Sequence, residues 1–194
     1  MGQPPTSWQA PDRNTYKVNF DGALFTVENS VGLGVVIHNE EGQVMVSLSQ
    51  KTTLPFTTIE VEAMVVLRAL KLALETGFHQ IILEGNSQIL ISALENNFHS
   101  LSNFGHIVKD IQYLASCFSK IYYSHVRRHC NIITHSLVRR VVSLSQIQVS
   151  MEDVPPRYYL CTSGRFKWPS LIKKFRSSFL KKKNTRLFNI TLLF

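Results

Sequence analysis

Cysteine is scarce here and poorly spaced for chemistry. Three occur, Cys117, Cys130 and Cys161, an odd count with no CxxC spacing, so neither a disulfide framework nor a thiolate zinc site is suggested. Long apolar runs are missing too, and no stretch reaches the length of a membrane span. The opening, MGQPPTSWQAP, lacks the charged-then-apolar layout of a secretory leader, and we expect an intracellular protein. Gly32 and Gly34 are followed by neither a third glycine nor a helix, which argues against a phosphate-cradling loop.

Acid is missing from one end of the chain. The formal net charge is +8, yet residues 1–147 hold 11 Lys and Arg against 11 Asp and Glu, while residues 148–194 hold 10 basic residues against Glu152 and Asp153. The basic excess therefore belongs to the tail, and by itself it is no evidence for a nucleic-acid surface on the folded part.

What is present begins with Lys17 to Leu24, KVNFDGAL, which alternates as a strand does, with Val18, Phe20 and Gly22 on one face and Asn19 and Asp21 on the other. Aspartate is depleted in strands and an unpaired buried carboxylate is costly. Asp21 is thus either at the turn of an edge strand or a metal ligand on a sheet. Val31 to His38 and Gln43 to Ser49, separated by Asn39-Glu40-Glu41-Gly42, complete a three-stranded meander. The two glycines inside the second strand mark a bulge or the close approach of another backbone.

The period then becomes helical. Ile59, Glu62, Ala63, Val66, Leu67 and Leu70 share one face of a helix from Thr58 to Glu75 that Gly77 stops. Glu62 lies within this apolar stripe whereas Glu60 points elsewhere, so Glu62 invites the same metal-site reading as Asp21. His79 to Glu84 is a strand that turns through Gly85-Asn86-Ser87 into a helix reaching Asn96. Asn103 to Phe118 forms another helix, Lys120 to Val126 a fifth strand, and Asn131 caps a last helix through Leu144. The order βββαβααβα predicts an α/β, mixed α+β fold with a five-stranded mixed sheet flanked by helices. Residues 1–14 read as a lead-in linker, 15–147 as the domain and 148–194 as the basic tail.

The series Trp8-x-x-Pro11, KVNFDGA, GLGVVIHNEEG, VEAMVVLRAL, LEGNS and HVRRHCNIITHSLV resembles the type 1 ribonuclease H fold. More narrowly, it is similar to plant RNase H-like domains related to the RNase H of retroelement reverse transcriptases. The resemblance implies two divalent ions, Mg2+, held between four acidic-type positions, and cleavage of the RNA strand of an RNA/DNA hybrid. Asp21 and Glu62 match the first two acids. Asn86 stands where the third aspartate is expected, and His135 matches the fourth position. Asp21, Glu62, Asn86 and His135 are therefore the implied catalytic set, with the first three as metal ligands. Arg127, Arg128 and Asn131 are the candidate nucleic-acid contacts.

Asn86 keeps the shape of a carboxylate but removes one negative charge, and hard cations depend on charged oxygen. Hydrolysis is expected to be severely reduced or absent; Glu84, two residues earlier, compensates in part only if the strand continues regularly and puts it on the face of Asn86. The alternative is a catalytically inactive interaction domain or retroelement remnant. In the tail, Trp168, Leu171, Ile172, Phe175 and Phe179 lie at helical spacing among lysines and arginines. That pattern fits an acidic partner, a membrane surface or nucleic acid, against a tail with no selected structure. A monomer is expected.

Overall fold

The computed structural model describes residues 7–53, 57–96, 105–144 and 147–151. Its centre is the strand β1, Tyr16–Phe25. Val18 and Phe20 are fully buried on one face, and Lys17, Asn19 and Asp21 are buried on the other. β1 lies inside the sheet, between β2 (Ser30–His38) on one side and β4 (Gln80–Gly85) on the other, and helices pack over both of its faces.

β1 pairs antiparallel with β2, and β2 with β3 (Val44–Thr53), so the meander is present. β4 runs parallel to β1, and β5 (Lys120–His125) parallel to β4. Between them lie helices α1 (Thr58–Glu75), α2 (Gln88–Glu95) and α3 (Gly105–Ala115). Thr57 and Glu60 close a capping box at the start of α1, which turns Glu60 outward as expected. At its other end Gly77 takes φ +84°, a conformation that suits glycine. α1 packs on β1 with α3 beside it, whereas α4 (Ile132–Arg140) covers the opposite face over β1, β2 and β3.

Several expectations are revised. The sheet has six strands rather than five, in the order β5-β4-β1-β2-β3-β6. β6, Gln148–Met151, pairs antiparallel with β3 and occupies an edge that would otherwise stay open. The predicted boundary at residue 147 thus falls immediately before a strand of the sheet. Within the lead-in linker Pro11 is buried, and the Trp8 indole N–H donates to Asn19 Oδ1 at 3.1 Å. The last helix stops at Arg140 and continues only as a short 3-10 turn over Val141–Ser143. The tail from residue 152, with its proposed amphipathic helix, lies outside the described residues, as does the expected start of the third helix at Asn103.

Gly34 serves close approach, not a bulge. A Cβ there would lie 2.7 Å from Val138 Cγ2 and 2.8 Å from the Thr134 carbonyl of α4. Neither β2 nor α4 yields without repacking. Gly34→Ala is therefore expected to cost about 1–3 kcal/mol, read as a lower urea midpoint; an unchanged midpoint would show that α4 is not seated as described.

Candidate functional site

Parallel pairing of β1 with β4 brings the C-terminal ends of both strands to one edge of the sheet. Asn19 pairs with Glu84, so Asp21 and Asn86 lie two residues further along their respective chains at that edge. Helix α1 enters from the same side. A Cβ on Gly22 would stand 2.7 Å from Val61 Cγ1, so glycine at this point lets the first turns of α1 close onto β1 and carry Glu62 toward Asp21. Both acids are buried, Asp21 at 3% exposure and Glu62 at 8%.

The opposite layer supplies the fourth position. Close packing of α4 on the glycines of β2 sets His135 Nδ1 2.9 Å from Asp21 Oδ2. Arg128 places a guanidinium nitrogen 3.4 Å from Nδ1 and 3.5 Å from Nε2 of that imidazole. Burial raises the Asp21 pKa from its ordinary value, opposed by the His135 contact, by Arg128 and by the Gly22 amide. Glu62 is pushed up to about 8, first by burial and then by the charge of Asp21, with Arg128 opposing. The site therefore tends to hold a proton where a carboxylate pair would otherwise repel.

Two buried oxygens here have no hydrogen-bond partner, Glu62 Oε2 and Asn86 Oδ1. Unsatisfied buried oxygens are the kind of atom a hard cation takes as ligands. The donor set suits one hard cation, through Asp21, Glu62 and Asn86, better than two. One Asp21 oxygen is engaged by His135, and Asn86 adds no charge. Among the described residues no group of three or more His, Cys, Asp or Glu is arranged to hold a metal ion, Asp21, Glu62 and His135 included.

The remaining predicted residues fall differently. Arg127 and Arg128 are exposed beside the site. Asn131, expected at the nucleic-acid surface and as a side-chain cap, is turned inward at 2% exposure. It makes no side-chain cap bond; its amide donates to the Phe20 carbonyl at 2.7 Å and its Oδ1 accepts from the Thr134 hydroxyl. It ties α4 to β1. Glu84 does not stand in for the missing acid. One oxygen accepts from Asn19 at 2.9 Å, while the other pairs with Lys17 Nζ at 3.0 Å and accepts from Ser124 at 3.1 Å.

That network was not legible as a unit in the sequence. Lys17, Asn19, Glu84 and Ser124 come from three strands, and Trp8 closes it from the lead-in. Beside it His38 is buried against the Trp8 ring, with 4.7 Å between ring centroids. Burial, with Lys17 contributing, lowers its pKa to about 3. A cavity of about 360 Å³ opens there, lined by Trp8, Asn19, His38, Cys130 and Thr134 among others. None of Asp21, Glu62, Asn86 or His135 lines it.

A central strand bearing Asp21, a first helix bearing Glu62 and a last helix closing from the other face define an RNase H-like protein. The solved structures agree on the fold. RNase H1 from the halophilic archaeon Halobacterium salinarum matches with TM-score 0.62 and 21% identity, over 66% of this chain and 98% of that one. The N-terminal RNase H domain of a Mycobacterium tuberculosis protein matches at 0.60 and 18%, covering 66% and 94%. LC11-RNase H1, solved in complex with an RNA/DNA hybrid, matches at 0.59 and 18%, covering 66% and 96%. A model of the reverse transcriptase-like family matches residues 19–141, and the chain belongs to that family. The curated proteins give no match.

The raised Glu62 pKa fixes the sign of a stability test. The folded chain keeps a proton that the unfolded chain releases near 4.5, so this contribution is complete below that pH and is lost as pH rises through about 8. Glu62→Gln cannot lose it. Its unfolding free energy relative to the parent should be level near pH 4 and higher by pH 9, by at least the roughly 1.4 kcal/mol of one pKa unit. A constant difference across that range would contradict the assigned burial.

Proposed function

We propose that this chain binds nucleic acid of the RNA/DNA hybrid type at the Asp21 edge, and that metal-dependent cleavage of the RNA strand is weak or lost in it. The observation that carries the reading is the arrangement at that edge: Asp21 is joined to His135, Glu62 feels the charge of Asp21, and Asn86 follows the strand paired beside β1. Family membership supplies the substrate class, and the RNase H1 relative solved with a hybrid supports it.

Asp21, Glu62 and Asn86 would hold a divalent ion, Mg2+, which when bound polarises water for attack on a phosphodiester. The chain's own residues do the rest. Arg127 and Arg128, exposed at the site margin, meet the phosphate backbone as charge-assisted donors. Asp21 fixes the ring orientation of His135 through Nδ1, and Arg128 lies against the same ring. Replacing the third carboxylate by Asn86 lowers the formal negative charge of the ligand set to two, and a pair of divalent ions is then poorly neutralised.

The protein would act as an intracellular monomer. Its basic tail would add nonspecific affinity for nucleic acid, in preference to a separate acidic partner or a membrane.

The test is cleavage of a labelled hybrid in Mg2+ and in Mn2+, alongside binding of the same hybrid. The chain should bind and cut little, and Asn86→Asp should raise the rate by about 100-fold or more, the scale of one well-placed charge in such a site. Efficient cutting by the natural sequence, abolished by Asp21→Ala, would overturn the proposed loss of hydrolysis. Absence of hybrid binding at low salt would overturn the nucleic-acid reading.

A further inference from the structure

The charge balance of residues 1–147 is an average that conceals a strong polarity. Residues 1–110 carry 6 Lys and Arg against 11 Asp and Glu, whereas residues 111–151 carry Lys120, Arg127, Arg128, Arg139 and Arg140 and no acid. Folding gathers most of this positive charge onto one layer. Helix α4 packs on β1, β2 and β3, and those three strands contain a single carboxylate, the buried Asp21 already joined to His135.

The outward face of α4 follows the helical period through Ile132, His135, Ser136 and Arg139. Arg139 is exposed and Arg140 half-buried, and neither forms an ion pair with a described residue. At the start of the helix Arg128 lies against His135. At its far end Lys51 of β3 reaches the Val142 carbonyl at 3.4 Å, adding a cation beyond Arg140. From Ile132 to Arg140 the helix rises about 12 Å at 1.5 Å per residue. Cations thus mark the start, the last turn and the far side of one face of α4, exposed at Ile132 and Arg139 and half-buried at His135 and Ser136, and that face begins at the Asp21 edge.

We propose that the outward face of α4 is a phosphate track, on which the backbone of one strand of a bound duplex runs from Arg128 at the site to Arg139 and Arg140. The assignment rests on the hybrid-binding reading above and adds where the strand leaves the site. Charge complementarity selects the occupant. A polyanion with regularly spaced charges meets several guanidinium forks along the helix, each able to hold a phosphate through two parallel hydrogen bonds. Arg139 and Arg140 also lie in the last turn of α4, where cations complement the helix dipole. That structural role affects stability but gives no dependence of binding on salt.

The experiment is a fluorescence-anisotropy titration of a labelled RNA/DNA hybrid with the full chain, from about 50 to 200 mM salt, where each phosphate contact contributes about 0.9 to the logarithmic salt slope. Arg139→Ala combined with Arg140→Ala should lower that slope by about 1 to 2 and weaken binding at the low-salt end by about tenfold. Lys71→Ala, which removes an exposed cation from α1 on the other side of the sheet, should leave both unchanged. A slope equal to that of the parent in the double variant, or an equal drop in Lys71→Ala, overturns the track while the hybrid-binding reading stands. Failure of the parent itself to bind overturns that reading.

Discussion

The contact between Asp21 and His135 is the joint on which this domain is arranged. Taking a carboxylate into the centre of a sheet costs several kcal/mol unless it is paired, and here the pairing atom comes from a helix on the far side of the strand. The contact requires that α4 sit deep, which the glycines of β2 permit, and that Asn131 tie the start of the helix to Phe20. On the other side Gly22 admits α1 and so brings Glu62 to the same carboxylate. One buried charge therefore fixes the approach of two helices and the composition of the site between them.

The same geometry defines what the site offers to a metal. The acid on α1 and the amide after β4 leave unsatisfied oxygens, while the acid on β1 is engaged by His135. Their summed charge is low. In such an arrangement burial favours protons over bare carboxylates, and the raised pKa values of Asp21 and Glu62 express that preference. The scaffold is that of an RNase H-like protein.

Much of this was legible in the sequence because it is local. Alternation around Asp21, the helical stripe carrying Glu62 and the Gly85-Asn86-Ser87 turn each announce their element, and α1 spans the residues its periodicity predicts. What was not legible depends on partners distant in sequence. Asn131 reads as a cap or a surface donor, yet it bonds to a residue 111 positions away. Glu84 reads as a spare ligand, yet it is enclosed by Lys17, Asn19 and Ser124. β6 is too short to stand out by pattern and forms because β3 offers it an edge. A domain-wide charge sum likewise conceals the acid-free run that folding places around α4.

The most direct test of the account is calorimetric titration of the full chain with Mn2+, together with Asn86→Asp. The account predicts at most one ion bound to the natural sequence, weakly, with affinity for a second ion appearing only when Asn86 becomes an aspartate. Two ions held tightly by the natural sequence, and released by Asp21→Ala, would contradict it.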